Sequence, residues 1–139
     1  MELTANAIQT VATEQNVIFT DVIVCGNPSM YHRDGSGLVT LRGLTNQCRA
    51  RFRVSFGGNI AIPTGGTVEA ISLALAINGE AVATTTAIST PAAVEEYNNV
   101  YTSIFLDIPR SCCQQISVKN ISGQDISIQN ANLIIERVA

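Results

Sequence analysis

The chain has 139 residues, a length that suits one compact domain able to bury a core without metals or disulfides. Charged residues make up 14% and hydrophobic ones 46%, which is the composition of a folded chain and excludes intrinsic disorder. A net charge of −3, from eight Lys+Arg against eleven Asp+Glu, argues against nucleic-acid binding through an extended basic surface.

Residues 1–15, MELTANAIQTVATEQ, show no basic segment followed by an apolar run, so no signal peptide is expected. No stretch approaches the roughly 18 consecutive apolar residues of a membrane span, so no membrane partner is expected. This segment is expected to be an N-terminal extension or a first strand, with residues 16–139 forming a single domain. From residue 16 onward the dominant period is two. NVIFTDVIV (16–24) and GLVTLRG (37–43) read as strands, separated by the polar stretch YHRDGSG (31–37). In RARFRVSF (49–56), Ala50, Phe52, Val54 and Phe56 share one face, and Arg49, Arg51, Arg53 and Ser55 the other. In VEAISLALAI (68–77), large Ile71, Leu73, Leu75 and Ile77 alternate with small Ala70, Ser72, Ala74 and Ala76. Asn78-Gly79 then predicts a type I′ hairpin, because both central positions need positive φ. PAAVEEY (91–97) offers at most one helical turn. In YTSIFLDI (101–108), Thr102, Ile104, Leu106 and Ile108 alternate with Tyr101, Ser103, Phe105 and Asp107. QISVKN (115–120) and ISIQNANLIIERV (126–138) close the chain. Turn residues at Asn27-Pro28, Asp34-Gly35, Gly57-Gly58, Gly65-Gly66 and Ser122-Gly123 are expected to separate the runs. About eight to ten strands with one buried face each predict an all-β, antiparallel sandwich, closed as a jelly roll to manage its edges.

The four cysteines are Cys25, Cys48, Cys112 and Cys113. Adjacent Cys112 and Cys113 are not a CxxC motif, and one histidine with this spacing gives no zinc pattern. Buried structural thiols are expected, with no metal and no cofactor.

YHRDGSG holds the only histidine, and with it Asp34 and Ser36, the ingredients of a hydrolase. A triad, however, draws its members from separate places, sets its nucleophile on a strained turn and adds an oxyanion hole. No GxSxG is present, and Asp34-Gly35-Ser36-Gly37 is turn chemistry feeding the next strand. The stretch is expected to be a structured loop, with Tyr31, His32 and Arg33 as candidate partner contacts, and no catalytic residue is assigned. Arg49, Arg51 and Arg53 are expected to be solvated or neutralised by acids on neighbouring strands, with anion pairing across a subunit interface as the alternative. Glu95-Glu96 does not form the facing carboxylate pair of a glycosidase. Gly57-Gly58 and Gly65-Gly66 lack the Gly-Lys-Ser/Thr of a phosphate loop.

Three segments, SFGGNIAIPTGGTVEAISLALAINGE, VYTSIFLDIPRSCCQQISVKN and ANLIIERVA, together resemble bacterial and phage members of the C1q/TNF-like jelly-roll group. The closing strand is similar to the end of exosporium-glycoprotein C-terminal domains, although no Gly-X-Y stalk is present. YHRDGSGLVTLRG resembles prophage-borne virion proteins of Firmicutes. In that group one sheet faces a threefold axis. The resemblance therefore implies that strands 49–56, 99–108 and 132–138 share the inner sheet of a homotrimer. Arg51, Arg53, Tyr101, Phe105 and Glu136 or Arg137 would then lie at the subunit interface. It further implies a non-enzymatic virion protein made in a bacterial cytoplasm, either a head decoration or cement protein or a short fibre tip. Its partners would be further copies of itself and the major capsid protein or another virion protein. The alternative is a bacterial surface or spore-coat C1q-like module that recognises a partner or a glycan.

Overall fold

A computed structural model of the chain describes residues 1–26, 28–33, 35–43, 48–110 and 113–138. Twelve strands run in chain order: β1 (Glu2–Ala5), β2 (Gln9–Val11), β3 (Asp21–Val24), β4 (Met30–His32), β5 (Val39–Arg42), β6 (Arg49–Ala61), β7 (Ile71–Ile77), β8 (Glu80–Ala81), β9 (Ala87–Ser89), β10 (Asn98–Pro109), β11 (Cys113–Asn120) and β12 (Ile126–Arg137). The one helical element among the described residues is a 3-10 turn at Ala83–Thr85. All pairings between named strands are antiparallel. The front sheet is ordered β10-β6-β12-β1-β3, with β2 beside β12, and the back sheet β4-β5-β11-β7-β8, with β9 beside β7. The result is the two-layer, all-β jelly roll that the alternation predicts.

The inward positions of the two sheets fill one core. Ala50, Phe52, Val54 and Phe56 of β6 are fully buried, as are Ile71 and Leu73 of β7, Ile116 and Val118 of β11, and Leu133 and Ile135 of β12. Phe19 and Phe56 meet edge-to-face, centroids 6.4 Å apart and planes at 74°, which suits the aromatic quadrupoles.

Three local predictions are corrected. NVIFTDVIV is not one strand. Asn16 bridges Lys119, and Val17 N–H donates to the Val118 carbonyl, whereas β3 pairs with β1. Its two halves serve different sheets. Gly57-Gly58 is not a turn, since β6 continues through it to Ala61. PAAVEEY, read as at most one helical turn, forms turns and bends, with Glu95 at φ 59°. Cys25, Cys48 and Cys113 are exposed rather than buried, because they occupy strand ends and connections rather than inward positions, and Cys25 and Cys48 are free thiols. Cys112 lies outside the described residues, as do Asn27 and Asp34. Asn78 and Gly79 do take positive φ, 52° and 86°, and join β7 to β8.

Residues 1–15 belong to the sandwich, since β1 and β2 both pair with β12. The registers also define two ends. The β3–β4, β5–β6 and β10–β11 connections lie at one, here the near end. The β6–β7, β9–β10 and β11–β12 connections lie at the other, the far end. Asn120 pins the far end. It is fully buried, its amide donates to the Val11 and Gln124 carbonyls, and its oxygen accepts the Ser122 N–H.

Asn120→Ala strands those three backbone groups, each worth about 1–3 kcal/mol when buried without a partner. The variant should lose about 3 kcal/mol of unfolding free energy in urea denaturation with an unchanged m-value.

Candidate functional site

The outward face of the front sheet carries the candidate site. Pairing sets its side chains in rows across the sheet. Asp107 lies opposite Arg51, Phe105 opposite Arg53 and then Glu136, Ser103 opposite Ser55 and then Ile134, and Tyr101 opposite Gly57 and then Asn132. Tyr101 is 66% exposed and Phe105 62%. The chain's own N-terminal segment therefore does not cover them; it lies in the sheet as β1 and β2.

Toward the near end the face is ionic. Arg51 Nε stands 2.8 Å from Asp107 Oδ1, Arg49 Nε 3.4 Å from Asp107 Oδ2, and Arg53 Nη2 2.8 Å from Glu136 Oε1. The arginine ladder is thus neutralised by acids on β10 and β12. The Arg51 hydrogen bond, helped by the charge of Arg49, holds the Asp107 carboxyl below the ordinary aspartate range. All these side chains are largely solvated, so each pair adds little stability.

In the middle the face is smooth. Ser55 and Ser103 hydroxyls lie 3.0 Å apart, and Tyr101 lies over Gly57, where an added Cβ would sit 3.8 Å from its ring. Bonding to Ser55 and Ser103 draws the Tyr101 phenol below its ordinary pKa. Asn99 donates to Asn59 Oδ1 at 3.2 Å toward the far end.

Glu136 lies on this face. Arg137 has the opposite parity, paired with Phe52 at the rim of the core layer. Ile134, 38% exposed, belongs to the face and was not singled out by the sequence. A bulge at Asn130, φ 56°, explains the omission, because it moves the inward parity from Ile126 and Ile128 to Ala131, Leu133 and Ile135. That switch was readable in the order of apolar residues.

The YHRDGSG stretch holds no nucleophile–base pair between its histidine and its serine. His32 Nε2–H donates to the Ser36 carbonyl at 2.9 Å, and Ser36 Oγ accepts the Leu38 N–H at 3.0 Å. Gly35 N–H bonds the Phe19 carbonyl, and Ser36 N–H closes a turn on Arg33. Tyr31 and Arg33 are exposed beside half-buried His32. At the far end, an open polar pocket of about 440 Å³ is lined by Thr13, Thr64, Thr67, Gln124 and Asp125, with glycines between them. Its wall is fixed by Gln124, whose amide clasps both backbone groups of Thr67.

Among solved structures the chain resembles the globular domain of zebrafish complement 1qA, with a TM-score of 0.63 at 12% identity, covering 96% of this chain and 93% of that one. It resembles murine APRIL with a TM-score of 0.58 at 12% identity in crystals at pH 5.0, covering 91% and 95%. A second APRIL structure, at pH 8.5, gives 0.57 at 11% identity over the same shares. The fold is C1q/TNF-like. No protein-family model and no curated protein matches the sequence.

Two outcomes test this geometry. In Arg51→Gln the Asp107 carboxyl, followed by NMR, should titrate at higher pH than in the wild type. The sign follows from a depressed folded-state pKa, whose contribution is full above the ordinary aspartate range and lost as pH falls through the lowered value. Ser36→Ala removes one exposed hydrogen bond, so thermal unfolding should show a loss within about 1 kcal/mol.

Proposed function

We propose that the protein is a non-enzymatic structural virion protein, a phage head decoration or cement protein or a short fibre tip, working as a homotrimer through the outward face of the front sheet. The observation that carries this reading is the pair Tyr101 and Phe105, large aromatic side chains left about two-thirds exposed on a regular strand. A solvated β face ordinarily carries charged or small polar residues there. Ile134, Val24 and Val138 extend the apolar area, and the low charge and positive mean hydropathy of the chain agree with surface covered by neighbours. The C1q/TNF-like fold, with the threefold arrangement the resemblance implies, supports a trimer around this sheet. The ion pairs of Arg51 and Arg53 would then rim a smooth apolar centre, the usual layout of a protein interface. His32 Nε2 is bonded to the Ser36 carbonyl and Ser36 Oγ to the Leu38 N–H, so the two side chains do not address each other, which supports binding rather than catalysis. The virion assignment rests on the likeness of residues 31–43 to prophage-borne virion proteins, with the major capsid protein or another virion protein as partner.

The far-end pocket favours a second reading, a bacterial surface or spore-coat module that recognises a partner or glycan. Its hydroxyl, amide and carboxylate lining suits a neutral polar ligand.

Sedimentation equilibrium of the wild type at micromolar concentration should give three times the chain mass. Phe105→Asp puts a carboxylate in the dry centre of the contact, two residues from Asp107, at a cost of several kcal/mol. The variant should sediment as a monomer with an unchanged β circular-dichroism spectrum. A wild-type monomer, or a variant that still forms trimers, removes the interface.

A further inference from the structure

Charge is divided between the two ends of the sandwich. The near end carries Arg42 and Arg110 beyond the three arginines already paired with Asp107 and Glu136. Arg42 closes β5, and the bridge between Gly43 and Arg110 brings both exposed arginines to this end. No acid forms an ion pair with either of them among the described residues. The far end is the reverse. Glu69, Glu95, Glu96 and Asp125 stand exposed on its three connections, and Glu14, beside them, is met by Lys119. None of the first four pairs with a cation among the described residues. Glu80 of the β7–β8 hairpin is an exposed acid at the near end, so the chain, with a net charge of −3, carries an excess of arginine at that end and an excess of carboxylates at the other.

We infer that the near end is a docking surface for the far end of a second copy, so that molecules associate end to end. Complementary charge identifies the occupant, because the acidic surface that matches these guanidinium groups is the chain's own opposite end. Arginine forms bidentate pairs with carboxylates, so Arg42 and Arg110 would meet Glu95 and Glu96 or Asp125 as forks rather than as diffuse charge. The same distribution disfavours near-to-near and far-to-far contacts, where like charges face each other, and so gives the association a direction. A head-to-tail contact of this kind does not close on itself, and it yields columns rather than a fixed oligomer. The contact uses the sandwich ends and leaves the front sheet free, so it is independent of the proposed trimer.

The experiment is sedimentation velocity of the full chain at about 20 mM and about 500 mM NaCl, since a short Debye length screens exposed pairs. Wild type should form species larger than its basic unit at low salt and return to that unit at high salt, with association weakened on the order of tenfold or more. Arg42→Glu/Arg110→Glu has two acidic ends and should remain at the basic unit in both. Glu95→Lys/Glu96→Lys has two basic ends and should do the same. Mixing the two variants should restore the low-salt species. Phe105→Asp should still associate at low salt, which separates this contact from the front-sheet interface. A salt-independent wild type, a charge-reversed variant that associates as well as wild type, or a mixture that stays dissociated would overturn the inference. Circular dichroism confirms that each variant is folded.

Discussion

Strand β6 is the constraint from which the rest of the architecture follows. It is hydrogen-bonded to β10 along its whole length on one side and to β12 along most of it on the other. Its parity therefore decides what both neighbours present. Placing Phe52, Val54 and Phe56 inward commits Ile104, Leu106 and Ile108, and on the other flank Leu133 and Ile135, to the core. It commits Phe105, Tyr101, Ile134 and Glu136 to the outside by the same pleat. A slip of one residue would reverse every one of these assignments, so a well-filled interior fixes the exterior pattern. The bulge at Asn130–Ala131 is the one place where β12 changes parity, and it lets the strand stay core-facing against both β2 and β1.

The fold was legible because period two is a direct consequence of the pleat, and inward residues in this chain are nearly all large and apolar. The antiparallel sandwich and the Asn78-Gly79 hairpin could be read from neighbouring residues alone, whereas the acids that meet the arginines, Asp107 and Glu136, lie far along the chain. What failed was local evidence whose cause is distant. Gly57-Gly58 has turn composition, yet Tyr101 supplies the side-chain surface that Gly57 lacks, from the opposite strand. Asn16–Val24 has the composition of one strand but is divided between two sheets. Cysteine hydrophobicity predicted burial, but Cys25, Cys48 and Cys113 are governed by their positions at the near end. Of the proposed interface, Tyr101 and Phe105 could be read from alternation, whereas Ile134, and the choice between Glu136 and Arg137, depended on the parity set after the bulge.

Edges give an independent argument for association. Strand β10 is the outermost strand of the front sheet and runs twelve residues without a bulge. A long regular edge with apolar side chains is a template for unwanted pairing unless something covers it or charges interrupt it. Here Asp107 and Pro109 protect only the near-end third, leaving Tyr101 and Phe105 beside unprotected backbone. The back sheet treats its own edge differently. There the 3-10 turn and Thr85, whose hydroxyl meets both backbone groups of Leu75, close off β7 with the chain's own residues.

This contrast between the edges bears on where function resides. Where the chain can satisfy a strand itself, it does so with short segments, β8 and β9 and the turn between them. Among the described residues no segment pairs with the outer edge of β10, although β9 and the 3-10 turn lie near that strand. An edge and a face left open on the same strand, one offering backbone groups and the other aromatic rings, are best satisfied by one partner that covers both at once. In the trimer proposed above a second copy would approach obliquely, with its sheet against the rings and its rim against the edge, and repetition of that contact would close into a ring. The ion pairs at Arg51 and Arg53 then have a clear consequence. With their charges already matched within the sheet, they can lie beside a dry contact without leaving an unpaired charge there.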